Sequence, residues 1–344
     1  MLPRSIVARA GAFLAVLALG SAVLVAPSSA ERSSQDRTAH AATKAKDPRK
    51  KLGLFVDPKM PAYKQGGVYR TSIGSRPQAF WLIPEAFDTD HVKSWVDGYV
   101  GDAAATHKTP MLTVYGIPGR DCGQYSSGNP LKTAPEYRAW IRQIAKGLVK
   151  RHAIVVLEPD ALPLFSSPVE TCPTKPAGWK GMLSYASKTL AQTGAWVYLD
   201  AGHSNWTPYD TRPQVLKDAG IKYARGFSTN VSNFRPTSDE KAYATFLLQG
   251  LRKIGVTGKH YVIDTSRNGA APVGDGHDTI NPTWARIGTR PKLVFDGAFD
   301  GTLWVKHPGE SDGQVNGGNA SGKWCTMLAD RLLKGSSTQT YCPE

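Results

Sequence analysis

Carboxylates follow one apolar segment after another along this chain, and this repetition points most directly to chemistry. The segments are short and rich in β-branched residues, as buried strands are, and an acidic residue follows each of them within about seven positions. One such acid is commonly a turn residue or a helix N-cap. Repetition after five strands, with His203, Trp206, Asn230 and Trp284 in similar positions, favours a shared site. The carboxylates are Asp121, Glu158, Asp160, Asp200, Asp264 and Asp312.

Clustered carboxylates without a phosphate-binding or metal-binding motif suit the hydrolysis of glycosides. One carboxyl with a raised pKa protonates the departing oxygen, while other charges support a transition state that resembles an oxocarbenium ion. Aromatic residues near the same segments suit the faces of sugar rings. A metal hydrolase is disfavoured because no histidine cluster has ligand spacing, and an α/β-hydrolase because no GxSxG elbow occurs. We therefore expect neither a metal nor another cofactor.

Strands and helices alternate in the sequence. Three segments have a helical period: Glu136–Arg151, Lys180–Gln192 and Asp239–Ile254. This alternation predicts an α/β fold with a parallel sheet, and the number of strands favours a barrel, in which all strand ends meet on one face. The predicted strands are Leu52–Val56, Phe80–Ile83, Met111–Tyr115, Ile154–Leu157, Trp196–Leu199, Tyr261–Ile263 and Thr302–Val305.

The first 51 residues differ in character from the rest. Arg4 and Arg9 precede an apolar run, Ala10–Ala26, that ends near a small-residue site at Ala30, as in an export signal. The run is short for a membrane anchor, so we expect a secreted protein without a membrane-bound segment. Residues 31–51 are almost free of apolar side chains and predict a disordered basic leader. Residues 52–344 then form one domain.

The four cysteines form an even set, which in an exported chain indicates two disulfides. Three connectivities are possible, and the simplest joins Cys122 to Cys172 and Cys325 to Cys342. The formal net charge of +14 would suit a nucleic acid, but the charges are scattered and no nucleic-acid motif is present. We expect a solvated basic surface, no nucleic-acid partner and a monomer.

Two longer segments carry a resemblance to a known family. One reads VYGIPGRDC over Val114–Cys122, and the other reads IVVLEPDAL over Ile154–Leu162. Both are similar to the paired signatures of glycoside hydrolase family 6, the cellulase family of endoglucanases and cellobiohydrolases. The similarity extends roughly from Leu52 to Gly313. It implies a single-domain, distorted seven-stranded β/α barrel that resembles a TIM barrel, in agreement with the predicted strands.

The resemblance also implies roles for individual residues. Asp160 would be the general acid, and Asp121 would raise its pKa and stabilise the transition state. Tyr115 would distort the sugar ring, and Ser127 would hold the attacking water. Asp312 matches the aspartate most often proposed as base, and Asp200 would order the network. The matching subsite residues are His203, Trp206, Asn230, Trp284, Lys306 and Glu310.

Two departures from the family accompany the resemblance. Members usually carry a cysteine after the tryptophan that is here Trp284, whereas this chain has Ala285, so Cys325 and Cys342 would form a different, C-terminal bridge. A tryptophan-rich N-terminal subsite is not evident in Asp57–Tyr63.

The sequence as a whole predicts a hydrolase of β-1,4-glucan. Because the segment between Gly313 and Cys325 is short, we expect an open cleft and internal cleavage, as in an endo-1,4-β-glucanase. The resemblance implies inversion of configuration. A cellobiohydrolase is the alternative, and a non-catalytic glucan-binding protein is disfavoured because the acids are present. No carbohydrate-binding module is evident, so soluble or amorphous cellulose is the expected substrate.

Overall fold

The chain folds around one sheet with helices on its outer side. The structure, a computed structural model, describes residues 47–273 and 280–343. Its eight strands lie in the order β1-β2-β3-β4-β5-β6-β8-β7, with seven parallel and β7 antiparallel at one edge. The predicted α/β barrel-like fold is therefore confirmed, with one additional strand. The strands are β1 Phe80–Leu82, β2 Met111–Val114, β3 Ile154–Leu157, β4 Trp196–Asp200, β5 Gly226–Thr229, β6 His260–Asp264, β7 Lys292–Asp296 and β8 Phe299–Leu303.

All three predicted helices are present, with ends that differ from the prediction by at most three residues. Helix α3 begins after Thr133, whose hydroxyl accepts from the Glu136 amide, while the Glu136 carboxylate accepts from the Thr133 amide. No helix within the described ranges has the length and apolar character needed to cross a bilayer. The helices are α1 Pro61–Gln65, α2 Val92–Ala105, α3 Ala134–Leu148, α4 Ala161–Ser166, α5 Trp179–Ala191, α6 Arg212–Asp218, α7 Thr237–Lys253 and α8 Thr326–Lys334, with further helical turns at Pro48–Lys50, Gly67–Tyr69, Arg70–Gly74 and Arg120–Gly123.

Some strand predictions were wrong. Leu52–Val56 is not a strand, because only Leu54 forms a bridge, to Thr109. The seventh parallel strand is instead β5, which has one large apolar residue and therefore escapes a search for apolar runs. Its Gly226 is required by close packing, since an added Cβ would lie 1.6 Å from the His260 carbonyl oxygen. Strand β8 begins before the predicted Thr302, and β7 was not predicted.

Side chains alternate along the central strands and form two layers of core. Ile154 and Val156 of β3 pack in the interior cluster with Met111 and Tyr198. Val155 belongs to the larger cluster between the sheet and the helices. Burial of both faces is typical of a parallel sheet. It leaves the carboxyl ends of the strands as the place where polar residues converge.

The N-terminal boundary lies earlier than predicted. Residues 1–46, with the predicted signal peptide, lie outside the described residues, but 47–51 are ordered rather than part of a disordered leader. Arg49 is 4% exposed and donates to the carbonyl oxygens of Ala153 at 3.1 Å and Gly194 at 2.9 Å. Its guanidinium lies 4.1 Å from the ring centre of Trp196. A cation, not an apolar side chain, anchors this segment, which is why composition did not predict it.

Two disulfides connect distant segments. Cys122 is bonded to Cys172, which joins the turn Arg120–Gly123 to the segment after α4. Cys325, at the start of α8, is bonded to Cys342 near the C-terminus. Both local pairings are therefore present, including the C-terminal bridge implied by Ala285.

Candidate active site

A large cavity lies at the carboxyl ends of the strands. Its volume is about 1160 Å³, and its wall includes carboxylates from the segments that follow β2, β3 and β8. The fold thus brings together side chains that are nearly 200 residues apart in sequence. The predicted site residues that line it are Tyr115, Asp121, Asp160, His203, Trp206, Lys306, Glu310 and Asp312.

Asp160 lies directly before α4, with a φ of 65° in the left-handed region. Its amide donates to Asp200 Oδ2 at 2.9 Å, while its own Oδ1 is shielded from solvent and has no hydrogen-bond partner. Burial raises the pKa of Asp160 well above its usual range, and the charges of Asp200, Asp121 and Asp312 raise it further. The Asp160 carboxyl is therefore suited to hold a proton that it can donate.

Asp200 lies beneath Asp160 and does not line the cavity. Besides the Asp160 amide, it accepts from the Gly202 amide at 3.2 Å and from Ser228 Oγ at 3.1 Å. Burial raises the pKa of Asp200 to about 7, against the lowering effect of these hydrogen bonds. Asp200 thus fixes the backbone that carries Asp160.

Asp121 lies in the turn Arg120–Gly123, at a φ of 58°. Its Oδ2 accepts from the Ser126 amide at 2.5 Å. Burial raises the pKa of Asp121, although the Ser126 amide and the charge of Arg120 oppose the shift. The Asp121 carboxylate lines the cavity, and its negative charge raises the pKa of Asp160.

Arg120 holds the loop that carries Asp121, a role that sequence reasoning did not assign. The side chain is 2% exposed and donates from Nε to the Ser126 carbonyl at 2.6 Å and from Nη1 to the Tyr115 carbonyl at 2.7 Å. Both terminal nitrogens also pair with Glu85. The guanidinium lies 4.7 Å from the Tyr115 ring centre. The position of Arg120 within the VYGIPGRDC segment, directly before Asp121, could have indicated this role from the sequence.

Asp312 lies between two cations. Arg267 Nη1 donates to its Oδ2 at 2.6 Å, and Lys306 Nζ lies 3.1 Å from its Oδ1. Burial raises the pKa of Asp312, but the charges of Arg267 and Lys306 outweigh burial, so the pKa lies below its usual range. Asp160 and Asp312 therefore differ in protonation within one cavity, as an acid and an anionic partner do. Sequence reasoning assigned no role to Arg267. This residue lies three positions after Asp264 and begins the run Arg267-Asn268-Gly269.

Neutral and aromatic groups complete the wall. His203 is buried, and its Nδ1 accepts from the Asn205 amide at 3.2 Å. Burial lowers the pKa of His203 to about 3, and the charges of Arg235 and Arg212 add to the effect, so the ring is neutral. The Trp206 ring lies 5.3 Å from the His203 ring, centre to centre. Glu310 Oε1 lies 2.8 Å from His307 Nδ1.

Five other residues predicted to share the site do not line the cavity: the carboxylates Glu158 and Asp264, and Asn230, Trp284 and Ser127. Asn230 is buried, and its amide group donates to the Asp264 carbonyl at 2.8 Å and accepts from the Arg235 amide at 2.9 Å. Trp284 packs against Phe234 at 5.6 Å between ring centres. Ser127 Oγ donates to the Gln124 carbonyl at 2.7 Å, and the neighbouring Ser126 lines the wall instead. Each of these side chains supports the fold around the site.

Comparison with known proteins agrees with this geometry. Residues 62–334 match the family model described as glycosyl hydrolases family 6. The chain belongs to glycoside hydrolase family 6. The match includes the segments that carry Asp121, Asp160 and Asp312.

Relatives in the family differ in their named activities. Endoglucanase A of Cellulomonas fimi is 41% identical over 295 residues, which cover 83% of this chain and 62% of that protein. The chain thus spans less than two thirds of that relative. A probable 1,4-β-D-glucan cellobiohydrolase C of Neosartorya fischeri is 30% identical over 322 residues, covering 78% of this chain and 70% of that protein.

A solved family structure is similar over most of this chain. It is the endoglucanase Cel6 from Mycobacterium tuberculosis in complex with methyl-cellobiosyl-4-deoxy-4-thio-β-D-cellobioside. The TM-score is 0.75 at 36% sequence identity, and the match covers 84% of this chain and 99% of that one.

Proposed function

We propose that the protein is a secreted, inverting endo-β-1,4-glucanase in which Asp160 is the general acid. The observation that carries the proposal is the Asp160 carboxyl, whose pKa is raised and whose Oδ1 has no partner, in one cavity with the ion-paired Asp312. The substrate class comes from the named relatives. The glucan is the partner that we assign, and catalysis needs no group beyond this chain and water.

The proposed reaction begins with proton donation. Asp160 protonates the glycosidic oxygen as its bond to the anomeric carbon breaks, so that the leaving sugar departs as an alcohol. The carboxylates of Asp121 and Asp312 stabilise the positive charge that develops on the sugar ring. Water attacks the opposite face and loses a proton. We assign the removal of this proton to Asp312 acting through intervening water, because the lowered pKa keeps this carboxylate ionised while Asp160 holds its proton.

Internal cleavage requires that the glucan lie across the site without a chain end. Cavity-lining residues from the segments after β1 and after β4 flank Asp160, which follows β3, so the wall continues on both sides of the acid. The endoglucanase relative is also the more similar of the two relatives described, at 41% against 30% identity. The first observation is a requirement of endo action, and the second favours it.

A cellobiohydrolase is the second candidate, and one contact favours it. Ser126 Oγ lies 3.0 Å from Ser321 Oγ, and the Tyr125 ring packs so closely on Gly313 that an added Cβ would lie 2.6 Å from it. The loop that carries Asp121 therefore touches the loop that follows Asp312. A lasting contact of this kind would cover the cleft and restrict entry to chain ends.

Hydrolysis of carboxymethylcellulose tests the proposal. Viscosity should fall steeply while few reducing ends appear, and Asp160→Asn should lower kcat by about 10²- to 10⁴-fold because the leaving oxygen loses its proton donor. Asp218→Asn, on the outer helix α6, is the matched control and should be normal. Reducing ends without loss of viscosity would establish the cellobiohydrolase, and near-normal turnover by Asp160→Asn would refute the acid assignment.

The stereochemistry of the products tests inversion. Proton NMR of fresh cello-oligosaccharide products should show the α-anomer first, whereas the β-anomer would indicate retention.

A further inference from the structure

A tryptophan without an assigned role lies in α2, the helix that follows the edge strand β1. Trp95, in the first turn of α2, lines the same cavity as Asp160, yet it is 54% exposed. Its ring packs edge-on against Phe87 at 5.4 Å between centres, and Phe87 packs against Phe80 at 5.2 Å. The indole is thus held from one side while much of its surface remains open to solvent. An exposed aromatic surface that is continuous with a cleft is typical of a ligand-binding groove.

A glycine keeps the helix surface next to Trp95 open. Gly98 lies one turn further along α2, lines the cavity, and would place an added Cβ where no atom lies within 4 Å. Glycine in a helix interior costs roughly 1 kcal/mol relative to alanine. Neither packing nor a positive φ requires glycine here. Its effect is to leave room beside the indole.

The segment before α1 adds polar side chains to this groove. Asp57 and Lys59 line the cavity next to the apolar Met60 and Pro61. Lys59 Nζ is paired with Asp102 of α2 at 2.7 Å, which places this segment beside α2. The groove thus has aromatic and polar side chains, which match the faces and the hydroxyl groups of a sugar ring.

We propose that Trp95 and Gly98 form an additional glucosyl-binding platform on the β1 side of the cleft, between α2 and the segment before α1 and two strands from β3. This inference rests on the proposed function and extends it. The occupant is the β-1,4-glucan chain whose cleaved bond lies at Asp160, because the groove is continuous with that site. An enzyme that cuts internally gains affinity from sugar units distant from the cleaved bond, and a rigid aromatic side chain provides such affinity with little ordering cost.

Binding of cello-oligosaccharides of different length tests the platform. Calorimetric titration of Asp160→Asn protein with cellotriose and cellohexaose measures affinity without turnover. Adding Trp95→Ala should weaken cellohexaose binding about tenfold, and Gly98→Gln should act similarly by filling the groove. Cellotriose, which is short enough to remain near Asp160, should bind unchanged.

Gly101→Gln is the matched control. Gly101 lies in α2 with open space around it but does not line the cavity, so the same change there should leave binding unchanged. The platform would be overturned if Trp95→Ala weakened the binding of both oligosaccharides equally or left cellohexaose affinity unchanged. It would also be overturned if the Asp160→Asn protein showed no measurable binding of cellohexaose.

Hydrolysis of carboxymethylcellulose by the protein with Asp160 intact separates this proposal from the proposed function. Hydrolysis without any dependence of binding on Trp95 overturns the platform and leaves the function. Binding that depends on Trp95, without hydrolysis, supports the platform and overturns the function.

Discussion

The protonation of Asp160 depends on charges from three other segments of the chain. Burial makes the largest contribution to its raised pKa, followed by the charges of Asp200, Asp121 and Asp312. Asp200 lies beneath it, whereas Asp121 and Asp312 line the cavity with it. Asp312 is neutralised in part by Arg267 and Lys306. Unlike Asp312, Asp121 forms no ion pair within the described residues, so its charge can be removed without breaking one.

Asp121→Asn should move the alkaline limb of the pH–rate profile to lower pH. Without the neighbouring negative charge, ionised Asp160 is less disfavoured, so its pKa falls and the proton is lost earlier as pH rises. We expect a shift of roughly one pH unit, together with a lower maximal kcat. Profiles of kcat for the two proteins, with Asp218→Asn as control, provide the measurement. An alkaline limb at the same pH would show that Asp121 does not tune Asp160.

Residue roles were predictable where a motif contains them, and not where a role depends on a partner distant in sequence. Asp121 and Asp160 lie inside the two signature segments, and both line the cavity. Arg267 is separated by 45 residues from Asp312, so nothing local indicates their ion pair. Trp95 lies in α2, a helix that was not predicted from the sequence. Only the fold shows that this face of α2 borders the cleft.

The loop after Asp312 is supported by the C-terminal segment. The Cys325–Cys342 bridge fixes this segment, the Cys342 amide donates to the Gly317 carbonyl at 2.7 Å, and Asn319 Nδ2 donates to the Pro343 carbonyl at 2.9 Å. The supported loop contains Ser321, which contacts Ser126 of the Asp121 loop. The disulfide thus acts on an element that borders the cleft.

Replacing both Cys325 and Cys342 by Ser should lower the free energy of unfolding by about 3 kcal/mol, since the bridge closes a loop with a sequence separation of 17. The freed loop should also make internal cuts more frequent, seen as a larger loss of viscosity per reducing end. Urea denaturation and the carboxymethylcellulose assay measure the two effects. Reduction of the parent protein is not an adequate control, because it also opens Cys122–Cys172. Unchanged stability and an unchanged cleavage pattern would show that the bridge supports neither fold nor loop.

Among elements, those with clear periodicity were predictable. Helix α3 has an apolar face and a capping box, and its prediction was accurate. Strand β5 was missed because its burial comes from neighbouring strands rather than from its own apolar content, and Gly226 is there for close approach to His260. Leu52–Val56 has the composition of a strand, but only Leu54 pairs. Sheet pairing is decided by contacts distant in sequence.

At the scale of the whole molecule, several carboxyls are buried beneath the site and support its loops. Glu158 accepts from the amides of Gly116 and Ile117, each at 3.0 Å, and from the Tyr137 hydroxyl at 2.8 Å. Glu240 accepts from the Ser204 amide at 2.8 Å, next to His203. Burial raises the pKa of Glu158, of Asp200 and of Glu240 to about 7 each.

These groups predict that the protein is more stable in mild acid than in alkaline solution. A carboxyl whose folded pKa lies near 7 and whose unfolded pKa lies near 4 binds its proton more tightly in the folded state, so stability falls as pH rises between these values. Buried His203, with a folded pKa of about 3, acts in the opposite direction below pH 6.5. Three carboxyls outweigh one imidazole, so the melting temperature should be lower at pH 8 than at pH 5 by on the order of 5 °C.

Circular dichroism melts at pH 5 and pH 8 measure this difference in melting temperature. Glu158→Gln, which retains an acceptor for Gly116 and Ile117 but cannot ionise, should reduce the difference. A melting temperature that rises from pH 5 to pH 8, or a difference that Glu158→Gln leaves unchanged, would show that these carboxyls are ionised in the folded protein at little cost.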